Sequence, residues 1–263
     1  MVRLVTYLLL AITTGAASFF IGNSTVVSMT TGFAIGMLIP AMDEIGKNWN
    51  HLRHIWYSLR YRNQSIRVST SYLFRIFIDG KYLLIRGKRY PTQFQPVGGV
   101  HKVSHQGSSS LAAMGVTGDD LIPIDPESDG DIRVRVPGRN IVSFFNWFDS
   151  REGREDSPWR EFQEELIASN VLPAADFPHI MHNYIRRDVD KIRYSAYADS
   201  LEVLVADIYE LIPNRAQEDA LRQLMSQGHP DIQWVAAQQI RRRGAVPGQP
   251  QSVEIAAHAQ RVL

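Results

Sequence analysis

Residues 147–167 read WFDSREGREDSPWREFQEELI, and the second half of that stretch decides the fold. Ser157 followed by Pro158 is a helix start: the serine offers a capping oxygen, and proline has no N–H to lose in a first turn. The helix then carries Glu161, Glu164 and Glu165 on one face, at i, i+3 and i+4. Three carboxylates on one turn repel one another unless solvent screens them or a cation binds. A solvated acidic face is one reading. A hard divalent cation such as Mg²⁺, which takes clustered oxygen ligands, is the other.

Upstream of this helix the apolar period shortens to two. Ile66–Val68 and Tyr72–Ile78 are β-rich, Asp79-Gly80 is a strong hairpin turn, and Lys81–Arg86 returns as the partner strand. Phe94-Gln95-Pro96-Val97-Gly98-Gly99-Val100 is a glycine-marked bend, residues 106–131 read as an irregular insertion, and Ile132–Val136 is a short strand. Downstream come a strand over Glu202–Leu211, a helix over Arg215–Gln227, a strand over Ile232–Val235 that enters another helix, and a short C-terminal helix. His101, His105, His179 and His182 have spacings of three and four but read as surface histidines.

The chain's first 62 residues follow a different rule. The 263 residues carry a net charge of +1, are 44% hydrophobic and 21% charged, and these averages conceal a segregation. No Lys or Arg occurs from Leu4 to Met42, and the first acidic residue is Asp43. Uncharged runs over 4–21 and 26–42 are separated by the polar turn Gly22-Asn23-Ser24-Thr25. Eighteen residues of helix reach roughly 27 Å, enough to cross a bilayer core. Two such runs predict a transmembrane hairpin; a signal peptide cleaved near Gly15-Ala16-Ala17 is the alternative for the first. Lys47, Arg53, Arg60, Arg62 and Arg67 follow the second run while the turn has no basic residue, which puts the body of the protein in the cytoplasm. Gly32 and Gly36 form a G-x-x-x-G pair suited to close helix packing, within the hairpin or between protomers. Over 46–64, Trp49, Leu52, Ile55, Trp56 and Leu59 recur at helical spacing among arginines, as in a membrane-surface stalk or an amphipathic helix docked on the soluble domain.

The absence of cysteine excludes disulfides and thiolate chemistry, and near-zero net charge argues against a general nucleic-acid coat.

The run Arg160-Glu161-Phe162-Gln163-Glu164-Glu165, with seven residues between it and Glu152, resembles the Nudix signature G-x5-E-x7-R-E-U-x-E-E-x-G-U, where U is apolar. Asn146 and Ile167 stand where the signature has glycine, and the nearest glycine pair, Gly98-Gly99, lies about 50 residues before the helix, so the box is split by an insertion. With its hydrophobic N-terminus, nearly the whole chain is similar to the transmembrane–Nudix effectors of bacterial CBASS anti-phage systems. That resemblance implies a two-helix transmembrane hairpin (1–45), a stalk or linker (46–64) and a Nudix-like α/β domain, a mixed sheet flanked by helices, over 65–263 with an insertion at about 100–145. It implies Mg²⁺ as cofactor, with Glu161, Glu164, Glu165 and Glu152 as metal ligands and Glu161 as the catalytic group that orients or deprotonates water. It also implies a cyclic di- or oligonucleotide from a partner nucleotidyltransferase, homo-oligomerisation, and residence in the bacterial inner membrane as a multi-pass protein. Candidate ligand contacts are Arg86, Lys88, Arg89 and Lys102. Three functions remain open: a receptor that disrupts the membrane, a membrane-tethered Nudix hydrolase, and an anchored structural partner with a degenerate Nudix fold.

Overall fold

The computed structural model describes residues 2–20, 24–119, 128–251 and 253–263. The turn expected at Gly22-Asn23, and the part of the expected insertion over 120–127, lie outside them. The chain divides into two compact units, Met1–Asn63 with Gly138–Phe145, and Gln64–Pro137 with Asn146–Leu263.

The first unit holds α1 (Val2–Phe20), α2 (Ser24–Lys47) and α3 (Trp49–Arg60). Among the described residues α2 is the one helix long and apolar enough to cross a membrane; the apolar stretch of α1, Arg3–Ala17, is shorter. Thr13, Thr14 and Thr30 turn their hydroxyls back onto carbonyls four residues earlier, which satisfies these groups without water. Gly15 faces Ala34, 3.9 Å from where its Cβ would stand. A Cβ on Gly32 or Gly36 would meet nothing within 4 Å, so that glycine pair does not bring α1 and α2 together. One face of α3 is docked: His54 stacks on Phe145 at 3.9 Å and Ser58 Oγ donates to the Arg139 carbonyl. Trp49, Trp56 and Leu59 remain exposed.

In the second unit β1 (Ser65–Arg75) runs through the middle of a mixed sheet. The chain bends at Ile76, so the strand expected over Tyr72–Ile78 divides, and β2 (Phe77–Ile78) pairs with β3 (Lys81–Arg86) in a second sheet. Asp79 and Gly80 both have positive φ, the geometry of a type I′ hairpin turn. Next come β4 (Gln93–Gln95), β5 (Gly98–Val100), α4 (His105–Ala113), β6 (Thr117–Gly118), β7 (Arg133–Pro137), α5 (Ile141–Ser150) and α6 (Trp159–Phe162), which continues as a π-helical turn over Gln163–Ile167. The chain ends with β8 (Met181–Val189), β9 (Arg193–Ser195), β10 (Ser200–Ile212), α7 (Arg215–Gln227), β11 (Ile232–Val235), α8 (Ala237–Arg241), β12 (Glu254–Ile255) and a 3₁₀ turn over Ala257–Val262.

The first sheet runs β6-β7-β1-β10-β8, with β1 and β10 parallel and β5 also on β1; the second runs β11-β3-β4-β12. Phe74, Phe162, Leu166, Phe177 and Leu221 pack between α6, α7 and the strands. The insertion is less irregular than expected. Ser104 caps α4 by accepting from Gly107 N–H, and three serines of α4 bond back to the preceding turn.

Two buried ion networks brace the first sheet, and the first of them also ties in the insertion. Arg67 on β1 holds Asp119 at 2.7 Å and also bonds Glu202. Asp207 on β10 accepts two bonds from Arg187, at 2.6 and 2.9 Å, and faces His101 Nε2 at 3.4 Å. His101, expected at the surface, is 1% exposed and lies edge-on between Tyr72 and Phe148. Burial works against the Asp207 charge, but the bonds from His101 and Arg187 outweigh it and hold the carboxyl down at about 2.

An ionised carboxylate with a depressed pKa stabilises the fold above its unfolded pKa near 4, and that contribution is lost as the pH falls through about 2. Asp207→Asn leaves the half-buried Arg187 with only the exposed Asp149 as a carboxylate partner, so denaturant unfolding at neutral pH should show a loss at or somewhat below that of a broken buried pair, about 3–5 kcal/mol. The difference from the parent should shrink below pH 4 and vanish toward pH 2.

Candidate functional site

The segments that the sequence separates by about 60 residues meet in space. β5 lies antiparallel on β1, with Gly98 opposite Leu73 and Gly99 opposite Tyr72. Gly98 N–H donates to Glu165 Oε2 at 3.0 Å. A Cβ on Gly99 would stand 2.0 Å from Glu161 Oε1, and one on Gly98 would stand 2.1 Å from the Tyr72 carbonyl oxygen. Bare backbone on this strand is what lets the helix carboxylates close onto it.

The insertion preserves this contact by pinching its own base. Val103 and Arg154 form an antiparallel bridge, Ser104 N–H donates to the Gly153 carbonyl at 2.9 Å, and Glu155 N–H donates to the Lys102 carbonyl at 2.8 Å. Gly107 and Gly153 interlock there; a Cβ on Gly107 would lie 1.9 Å from Gly153 O. The chain therefore leaves and re-enters at one point, and the described intervening residues do not come between β5 and α6.

Arg160 is the hub of the site. Its guanidinium donates to Glu155 at 3.1 and 3.2 Å, Glu161 at 2.7 Å, Glu164 at 3.3 Å, the Val100 carbonyl at 3.1 Å and the Tyr72 hydroxyl at 3.3 Å. Burial opposes the Arg160 charge, but the hydrogen bond to Glu155 and the nearby Glu161 raise its pKa. Burial raises the Glu161 pKa against the pull of Arg160. Glu165, 9% exposed, is pushed up to about 8 by burial, opposed by the Gly98 N–H and reinforced by Glu161.

These groups line a cleft of about 460 Å³. Lys88 and Arg89 of the expected ligand contacts reach it; the other two have different work. Lys102 bonds Asp131 at 3.0 Å and the Asp129 carbonyl, fastening the insertion. Arg86 is held by Asp231 and the carbonyls of Pro91 and Pro230, over the Phe94 ring. Glu152, spaced correctly in sequence, sits on an exposed turn, and Glu155 is the residue that reaches Arg160. Arg133 and His258 also line the cleft. The alternation Arg133-Val134-Arg135-Val136 announces Arg133 as one of a strand's two faces, whereas nothing local in sequence points to Glu155 or His258.

The model of the SMODS-associated NUDIX domain matches residues 65–263. The chain belongs to that family. A search of curated proteins finds no match to the chain. Membership supports a Nudix-like effector associated with SMODS- and CBASS-type systems, built on a Nudix-like α/β domain with curled mixed sheets.

Nudix domains commonly use Mg²⁺ or another divalent cation. The SMODS-associated NUDIX domain in this chain offers hard oxygen donors of the right chemistry in Glu161, Glu164 and Glu165. Their positions do not yet fit such an ion: among the described residues no three acidic or histidine side chains converge as a metal site. Arg160 draws Glu161 and Glu164 to itself, and Glu165 is bonded to Gly98.

The two glycines should respond differently to substitution. Gly98→Ala meets backbone and should cost more than about 2 kcal/mol in denaturant unfolding. Gly99→Ala meets the far end of a glutamate, which can swing aside, so stability should change by less than about 1 kcal/mol while the Glu161 carboxylate leaves the strand. Equal losses in both would contradict this account of the contact.

Proposed function

We propose that the protein is a membrane effector of an anti-phage cyclic-oligonucleotide signalling system. Its Nudix-like domain binds a cyclic oligonucleotide made by a partner nucleotidyltransferase. Binding drives oligomerisation, and the clustered N-terminal helices disrupt the bacterial inner membrane. The observation that carries this reading is the cleft over Gly98-Gly99. There Lys88, Arg89, Arg133 and Arg160 line the same hollow as the glycine pair, which has no side chains of its own, a combination suited to phosphates once the Glu161 carboxylate that lies on Gly99 swings aside.

Family membership supports the signalling context, and α2 supports the membrane anchor. Lys47, Arg53, Arg60 and Arg62 after α2 favour a cytoplasmic domain. A single helical pair is too small to enclose a pore, which makes assembly the natural switch.

The alternative reading is a membrane-anchored hydrolase of a nucleoside diphosphate-linked substrate. It is favoured by one feature: Glu161, Glu164 and Glu165 all line the cleft that contains the candidate phosphate contacts. A divalent cation held by these three would supply counter-charge to a diphosphate.

Purified full-length protein in liposomes, challenged with a panel of cyclic nucleotides, distinguishes the readings. The effector reading predicts dye release with at least one panel member, retained when Glu164 and Glu165 are both changed to Gln. Binding without release contradicts membrane disruption. Release that disappears together with turnover of the added nucleotide supports the hydrolase.

A further inference from the structure

The faces of α3 are reversed for a helix that meets water. On one side His54 and Tyr57 are 7% and 5% exposed, and Ser58 donates to the Arg139 carbonyl. The other side shows Trp49, Trp56 and Leu59, which are 60%, 55% and 72% exposed. These three recur at intervals of seven and three, so they form one stripe along the helix. A surface helix in water buries such a stripe and leaves histidine and serine outside. Trp49 and Trp56 are also the exposed tryptophans among the described residues; Trp147, Trp159 and Trp234 are half-buried.

Position and charge say what covers the stripe. The uncharged run of α2 ends at Met42, and Trp49 follows seven residues later, about two helical turns. The stripe therefore begins close to where a spanning helix leaves the hydrocarbon. Asn48, between the two helices, has left helical dihedrals (φ −102°, ψ 11°), so α3 is a helix of its own rather than an unbroken continuation of α2. From Glu44 to Asp79 the chain carries Lys47, Arg53, Arg60, Arg62, Arg67 and Arg75 with no acidic residue between. Arg60 and Arg62, just past Leu59, are exposed. A second copy of this face would bring arginines without a carboxylate to pair them, whereas lipid phosphates supply the anions. Tryptophan, with an apolar ring and one N–H, suits the layer between acyl chains and headgroups.

We propose that α3 lies on the bilayer surface, with Trp49, Trp56 and Leu59 seated at the headgroup level and Arg60 and Arg62 on the phospholipid phosphates. This rests on the reading of α2 as a membrane anchor and adds a second, interfacial contact to it. Lipid then covers one face of α3 while protein covers the other, where the His54–Phe145 stack and the Ser58–Arg139 bond hold the segment Gly138–Phe145.

The chain has no cysteine, so single nitroxide labels can be attached to cysteine variants of the full-length protein. The host is a nanodisc of equal parts phosphatidylethanolamine and phosphatidylglycerol. Trp56→Cys and Leu59→Cys report on the stripe, and Phe33→Cys reports on the middle of α2. Asn50→Cys reports on an exposed position four residues before His54, on the docked side. Power saturation compares access of oxygen, which partitions into lipid, with access of an uncharged nickel chelate, which stays in water. The ratio of oxygen to nickel access at Trp56 and Leu59 should be several-fold above that at Asn50 and close to that at Phe33. Ratios at Trp56 and Leu59 equal to that at Asn50, with Phe33 in lipid, overturn the placement of α3 and leave the anchor standing. A water-like ratio at Phe33 overturns the anchor reading as well. Spin–spin broadening at Trp56 and Leu59 that disappears on dilution with unlabelled protein overturns the lipid contact in favour of a second copy. Arg60→Glu combined with Arg62→Glu should leave thermal unfolding unchanged and lower the Leu59 ratio toward the Asn50 value; an unchanged ratio overturns the phosphate contacts.

Discussion

The contact between a bare strand and a charged helix is the constraint on which the Nudix-like domain depends. Gly98 and Gly99 give β5 the room to lie against Glu165 and Glu161, and Gly98 N–H is bonded to the more buried of the two. Because three carboxylates crowd one helical turn, the contact also requires a cation. Arg160 supplies it from the same helix, joining Glu155, Glu161 and Glu164 to the strand carbonyl of Val100. A salt bridge at the surface would contribute little. This one is partly buried and branched, so each carboxylate depends on a guanidinium that the others also hold.

The insertion between these two halves is accommodated by anchoring. Its base is pinched by the Val103–Arg154 bridge and the Gly107–Gly153 packing, and its body is fastened to the sheet by Arg67 with Asp119. Buried ion pairs are costly to assemble and more costly to break, which makes them good devices for fixing one register among several. Here they determine where a long excursion returns, so that α6 meets β5 although much of the chain lies between them.

How much of this was legible in the sequence follows from the range of each signal. Asp79-Gly80 and the Arg215–Gln227 helix, with Asn214 as its cap, depend on neighbours within a few residues and read correctly. The α4 helix was hidden by Ser108-Ser109-Ser110, whose turn-forming chemistry outweighed the cap at Ser104. The R-E-U-x-E-E letters identified the family, and their spacing pointed to Glu152 for the fourth acidic residue. In space Glu155 is the one of the two that reaches Arg160, because the pinch at Val103–Arg154 sets where the chain re-enters. Arg133 and His258 come to the cleft from a distant strand and a C-terminal turn, which no local pattern encodes. His101 was misplaced for the same reason: its burial depends on Tyr72 and Phe148 and on Asp207 across the sheet.

Two segments distant in sequence, Gly98–Val100 and Arg160–Glu165, form one wall of the charged cleft. Hydrogen exchange of the full-length protein, with and without each cyclic nucleotide of the liposome panel, measures this directly. Protection should rise together at Gly98–Val100 and at Arg160–Glu165. Protection confined to the insertion around α4, with both of those segments unchanged, would contradict it.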